Sequence, residues 1–252
     1  MPYQTDFDLD IPKAIHEQLV EVFENLDTAD LLRIEPAGPL PVTSHRGVYG
    51  LFVDQALMYV GKASNLARRL GEHRVKLSGR HNVGDIRFKA VFVHKNWNAY
   101  APESILLDHY RLLGLCAWNG SGLGPNDPGR NREETDLPPD GFHARYPIRQ
   151  DWACDWLEAQ EYEVLELLVS LKEKLPFLLR YEVTTHYRTG HPDFEGKRVV
   201  LPSHGMGASE ILELVVGQLP GWQATAFPSH IILYREARDY AYGEVIGRGP
   251  IV

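Results

Sequence analysis

Apolar positions along the chain change period several times, and each change predicts an element. Ile15, Leu19, Val22 and Phe23 share one helical face, so a helix is expected from Ile11 to about Arg33. Asp10 is placed to cap it and Pro12 fits its first turn. Pro36, Gly38, Pro39 and Pro41 then break the pattern. Two short apolar runs follow, Gly47 to Val53 and Leu57 to Val60. They read as the strands of a hairpin closed around Asp54-Gln55. Leu66 to Leu77 returns to helical spacing, Ile86 to Val93 alternates like a third strand, and Pro102 to Leu115 is helical again. Trp118 to Arg132, rich in Gly, Asn, Asp and Pro, predicts a loop, as does Leu137 to Pro147.

The later third predicts one long helix from Asp151 to Leu175, ended by Pro176. Trp152 and Trp156 would stand at i and i+4 on it. After about Tyr181 the pattern reads strand, helix, strand, strand: Arg198 to Leu201, Ala208 to Leu219, Gln223 to Phe227 and Ile231 to Arg235. The expected class is α+β, with an N-terminal helix and a C-terminal α/β extension. The organisation expected is an N-terminal arm (1–45), a central domain (46–150) and the extension (151–252).

Composition changes this picture little. The chain has 252 residues, 44% of them hydrophobic, enough for a sizeable core. No apolar run reaches membrane-spanning length. Met1 to Asp10 is polar and acidic, unlike a secretory signal, which predicts a cytoplasmic protein with no membrane association. Cys116 and Cys154 form no metal or redox pattern. Charge is more telling. The net value is −8, which argues against wholesale binding of a polyanion. Yet residues 46–149 carry 15 Lys and Arg against 10 Asp and Glu, leaving the acidic excess elsewhere. A locally basic segment is enough for phosphate contacts.

The candidate chemistry lies in that segment. Gly47-Val48-Tyr49 and Tyr59-Val60-Gly61 place two tyrosines on adjacent strands, each near a glycine. Arg69 and His73, at i and i+4, share one side of the next helix, and Glu103 opens the helix after the third strand. This order resembles the GIY-YIG nuclease superfamily, with valine in place of isoleucine in both signatures. The run Gly61-Lys62-Ala63-Ser64-Asn65-Leu66 is similar to that family's passage from second strand to helix. The resemblance covers about Arg46 to Asn119. It implies a small three-stranded antiparallel sheet flanked by helices and a catalytic set of Tyr49, Tyr59, Arg69, His73, Glu103 and Asn119. Trp118-Asn119 and Asp127-Pro128-Gly129-Arg130 look like the short type II restriction endonucleases within it. That closer likeness implies homodimers cutting a short site in double-stranded DNA, as in restriction-modification.

In such an enzyme Glu103 would be the metal ligand, a hard oxygen donor suited to Mg²⁺, with Mn²⁺ a possible substitute. Arg69 would hold the phosphate. Tyr49 would take a proton from the attacking water, with His73 as relay, and nearby Arg69 and the metal would have to favour its phenolate. Tyr59 would orient water or phosphate. Lys62, Arg68, Arg130 and Arg132 are the expected DNA contacts.

Other features carry less. His81, His94, His109 and His143 lack metal-ligand spacing. His204-Gly205-Met206-Gly207 lacks the Lys and Ser/Thr of a P-loop and reads as a turn. Two rival functions remain open: a structure-selective repair or mobile-element nuclease, and a non-catalytic DNA-binding protein with a degenerate site.

Overall fold

The computed structural model describes residues 10–32, 45–93, 102–123, 129–184 and 190–251. The chain divides into two compact units, residues 1–74 with 83–120, and residues 75–82 with 121–252. The class is α+β, with six α-helices and several sheets among the described residues.

In the first unit, α1 (Ile11–Glu24) starts at Asp10, whose Oδ1 accepts from the Lys13 amide at 3.0 Å. It stops well short of Arg33. The Lys89 ammonium donates to the Phe23 and Glu24 carbonyls, at 3.3 and 3.1 Å, and so caps its end. The chain then forms β1 (Ala29–Asp30), where Ala29 pairs with Phe88. Pairing to a neighbouring strand overrides the helical pattern here, which is a tertiary effect that periodicity does not carry. The proline-rich turn expected after it lies outside the described residues.

The first sheet has four strands in the order β1-β4-β2-β3, all antiparallel, rather than the three expected. The predicted hairpin supplies a central strand, β2 (Gly47–Val53), and the edge strand β3 (Ala56–Ala63). Asp54 and Gln55 both have positive φ, 46° and 73°, so the strands are joined by a tight two-residue turn. The added strand at β4 (Ile86–Phe92) is only two residues long. Side chains alternate across the sheet. Val48, Phe52, Leu57 and Val60 pack with Leu19, Val20 and Phe23 of α1 and with Leu106 and Tyr110 of α3 (Pro102–Leu112). Tyr49 and Tyr59 project the other way, towards His73 of α2 (Leu66–Ser78). Helices on both faces explain why β2 is almost wholly buried instead of alternating. The α3 helix ends before Leu115 because Gly114, at φ +74°, turns the chain, and the Leu115 amide returns to the Tyr110 carbonyl at 3.0 Å.

The second unit corrects the long-helix expectation. Asp151 to Gln160 is not helical, and Trp152 and Trp156 share no helix. Its backbone groups go to another segment. Cys154 N donates to Met206 O at 2.9 Å, Ala208 N to Trp152 O at 3.0 Å, and Leu201 N to Gln160 O at 3.0 Å. A strand, β5 (Glu161–Glu163), leads into α5 (Val164–Lys174), while α4 (Phe142–Arg145) interrupts the predicted second loop. A second sheet runs β10-β8-β9-β6, with β6 (Leu178–Tyr181), β8 (Gln223–Ala226), β9 (His230–Tyr234) and β10 (Glu244–Arg248). β7 (Arg198–Val200) pairs with β5. Against this sheet packs α6 (Ala208–Gly217), with Ile211, Leu212, Val215 and Val216 buried. The turn His204 to Gly207 simply leads into that helix. Both cysteines are buried free thiols.

His143, on α4, gives this unit a pH dependence. Burial and, after it, the neighbouring Arg80, Arg132, Lys76 and His230 push its pKa down to about 2. An unfolded histidine titrates near 6.5. Below that value the unfolded chain binds a proton that the folded chain refuses. Stability from this group is therefore full above pH 6.5 and is lost as pH falls, by up to about 1.4 kcal/mol per unit. Thermal melting between pH 7 and 5 should fall more steeply for the wild type than for His143→Gln. Parallel slopes would contradict the assignment.

Candidate active site

Four of the predicted residues meet on the α2 side of the first sheet. Tyr49 and Gly61 are directly paired across β2 and β3, and Leu51 faces Tyr59, so the two phenols share a face. Their ring centroids are 6.0 Å apart. The His73 ring lies 5.5 Å from Tyr49 and 5.4 Å from Tyr59. The Tyr49 hydroxyl and His73 Nε2 are 2.7 Å apart, and Arg69 Nε donates to the same hydroxyl at 3.3 Å. With Nε2 unprotonated, the Tyr49 hydroxyl donates to His73 while its oxygen accepts from Arg69.

Local sequence explains the fit. Gly61 leaves room that no side chain could share, because a Cβ there would sit 2.7 Å from the Tyr49 hydroxyl. Asn65 Oδ1 accepts from the Arg68 amide at 2.9 Å and starts α2, which sets Arg69 and His73 one turn apart on its inner side. Burial separates the roles. Tyr49 is 0% exposed, His73 2% and Tyr59 8%, whereas the Arg69 side chain is 31% exposed. Glu72, which the sequence did not single out, binds Arg69 Nη1 at 3.0 Å and Arg68 Nη1 at 2.7 Å.

The electrostatics set the state of Tyr49 without a metal. Burial, and after it the neighbouring Tyr59, hold the Tyr49 phenol well above its ordinary pKa, and Arg69 offsets only part of this. Tyr49 is thus a neutral phenol here, not a phenolate. Burial also works against the charge of Arg69, but its bonds to Glu72 and Tyr49 outweigh that and keep it protonated.

Glu103 and Lys62 form a second pair, with Nζ to Oε2 at 3.0 Å. Lys62 pairs with Val48 and so belongs to the opposite face of β3 from Gly61, its chain neighbour. The two groups are therefore distinct clusters around the end of one strand. Beside Lys62 is a cleft of about 360 Å³, lined also by Arg46, Gly47, Ser64 and Pro102. Glu103 is partly open, its side chain 26% exposed, and Lys62 is 71% exposed. The ammonium already occupies a cation position at the carboxylate. Among the described residues no three His, Cys, Asp or Glu side chains converge. The donor set fits an ion such as Mg²⁺ that keeps waters and takes phosphate oxygens beside one carboxylate, not a caged metal.

Asn119 joins neither cluster. Its Oδ1 accepts from Val60 N at 2.9 Å and its Nδ2 donates to Val60 O at 2.8 Å. It completes the open edge of β3 between Tyr59 and Gly61, as a further strand would. Asn119→Ala should cost about 1–3 kcal/mol, because a buried peptide group loses both partners. An unchanged urea midpoint would contradict that role.

The expected DNA contacts divide. Arg68 is exposed on α2 beside Glu72, and Lys62 stands at the cleft. Arg132, in the second unit, lies with Nη2 2.8 Å from His143 Nε2. Asp127, Pro128, His94 and the Arg130 side chain lie outside the described residues. The chain matches no protein-family model and no curated protein. What the fold and site define is an α+β protein with a buried Tyr–His–Arg cluster beside a Lys–Glu pair.

Proposed function

We propose that this chain is a metal-dependent DNA endonuclease of the GIY-YIG kind, hydrolysing phosphodiester bonds at specific sites in duplex DNA. The observation that carries the reading is the Tyr49 hydroxyl held between Arg69 and His73. A neutral phenol bonded to an acceptor histidine can relay a proton without ever becoming a free phenolate.

The exposures support the following chemistry. Arg69 is the open member of its cluster, and its fork of donors suits a phosphate. When Arg69 turns to phosphate it releases a lone pair on the Tyr49 oxygen. That oxygen then accepts the proton of the attacking water while its own proton passes to His73 Nε2. Tyr59, at the rim, orients the water. The water oxygen bonds to phosphorus and the bond to the leaving oxygen breaks. Glu103 would hold a Mg²⁺ ion, or Mn²⁺ in its place, which as a Lewis acid would stabilise charge on the phosphate and the leaving oxygen. Lys62 shifts from Glu103 to a phosphate oxygen at small cost, since an exposed ion pair is worth only about 0–1 kcal/mol. One chain carries one such set, so cutting both strands of a short symmetric site calls for a two-fold homodimer.

Digestion of unmodified and modified phage DNAs, with Mg²⁺ or with EDTA, tests the reading. Discrete fragments that need the metal are expected. A metal-dependent smear would shift the account to a structure-selective or nonspecific nuclease. No cleavage of any substrate would favour the non-catalytic DNA-binding protein.

A further inference from the structure

In the second unit, His143 stands between two guanidinium groups. Its Nδ1 lies 3.1 Å from Arg80 Nη1, and its Nε2 lies 2.8 Å from Arg132 Nη2. A neutral imidazole has one acceptor nitrogen and one N–H, while a guanidinium has only donors. One of the two contacts is therefore a hydrogen bond, and in the other an N–H faces an N–H. Protonation of the ring would add a third cation and does not relieve this.

Arg80 sharpens the point. It is only 5% exposed. Its Nη1 donates to the carbonyls of Tyr146 and Pro228 at 3.1 and 3.0 Å, and its Nε is buried with no hydrogen-bond partner among the described residues. Burial and Arg132 push its pKa down to about 9, so it stays charged at neutral pH. A plain structural staple accounts for the carbonyl bonds of Arg80. The second guanidinium, Arg132, meets the same imidazole from its other nitrogen.

The surroundings add donors. Lys76 Nζ bonds the Leu123 carbonyl, and Lys76 and Arg80 both lie over the Phe142 ring, at 6.0 and 5.3 Å. The Ser121 hydroxyl is buried without a partner among the described residues. Next to it is Gly122, where a Cβ would come within 2.8 Å of His143 Nε2. The position of Arg132 is also secured, because its chain neighbour Glu133 is buried and accepts from Arg180 Nη1 and from the Tyr234 hydroxyl.

We propose that Arg132 and His143, backed by buried Arg80 and by Lys76, form a binding subsite for one phosphate group, filled in use by a backbone phosphate of DNA. His143 Nδ1 then accepts from Arg80, and its Nε2–H and Arg132 Nη2 both donate to one phosphate oxygen. The crowded N–H contact becomes a pair of charge-assisted bonds. The DNA occupant rests on the nuclease reading, whereas the phosphate site stands without it.

Two measurements decide this. Inorganic phosphate is titrated into the protein at constant ionic strength, with chloride as control, and the melting temperature is followed. Wild type should show a saturable rise that chloride does not give, and Arg132→Gln and Lys76→Gln should show less. No phosphate effect, or the same rise in both variants, overturns the site. DNA affinity is then measured against salt. Removing one phosphate contact should reduce the slope of log K against log salt by about 0.9 in Arg132→Gln. A phosphate-dependent rise with an unchanged DNA slope would keep the anion site and overturn DNA as its occupant. If DNA is not bound at all, the nuclease reading fails while the phosphate titration still decides the site.

Discussion

Tyr49→Phe should lower the single-turnover cleavage rate by about two to four orders of magnitude, the usual worth of a positioned proton-transfer group. The ring stays, so the packing against Tyr59 and His73 is kept. Only the hydroxyl that joins Arg69 to His73 is lost. Its removal leaves the buried His73 Nε2 without that bond, which should cost about 1–3 kcal/mol of stability. DNA affinity should barely change, because the proposed phosphate contact is Arg69 and not Tyr49. A near-normal rate, in a variant shown to be folded by circular dichroism, would contradict the relay.

Glu103→Ala should abolish metal-dependent cleavage while sparing DNA binding. Lewis-acid stabilisation is worth several kcal/mol, so the loss should be on the order of a thousandfold or more. Affinity should hold or rise, since the substitution removes a negative charge beside the cleft and frees Lys62 for phosphate. Chelation with EDTA should mimic the substitution. Cleavage that survives either change would remove Glu103 from the proposed metal site. Loss of DNA binding along with cleavage would instead mark the Lys62–Glu103 pair as part of the structure of the cleft.

The parts of the fold legible in the sequence were those set by local rules. The hairpin was readable because Asp54 and Gln55 punctuate two apolar runs, and α2 because its period is clear after Asn65. What stayed hidden depends on distant pairing. The two residues of β1 take their conformation from β4, and Asp151 to Gln160 gives up helix to bond with residues 201–208. β6 and β10 escaped because four or five residues are too few for a period to show.

The candidate site was legible to a similar depth. Strand alternation put Tyr49 and Tyr59 on one face, and helical spacing put Arg69 and His73 on one side. Spacing did not show that Glu103 would meet Lys62 on the other face of β3, nor that Asn119 would serve the edge of the strand. It also gave no sign of the burial that keeps Tyr49 protonated. Arg80 and His143 went unnoticed as a pair because 63 residues separate them.

The most direct test is one labelled DNA fragment offered to wild type, Tyr49→Phe and Glu103→Ala, with binding and cleavage followed side by side in Mg²⁺ and in EDTA. The account predicts that all three bind, that only the wild type cuts, and that it cuts only with the metal. Cleavage by either variant at a rate near the wild type's, or cleavage by the wild type in EDTA, would contradict it.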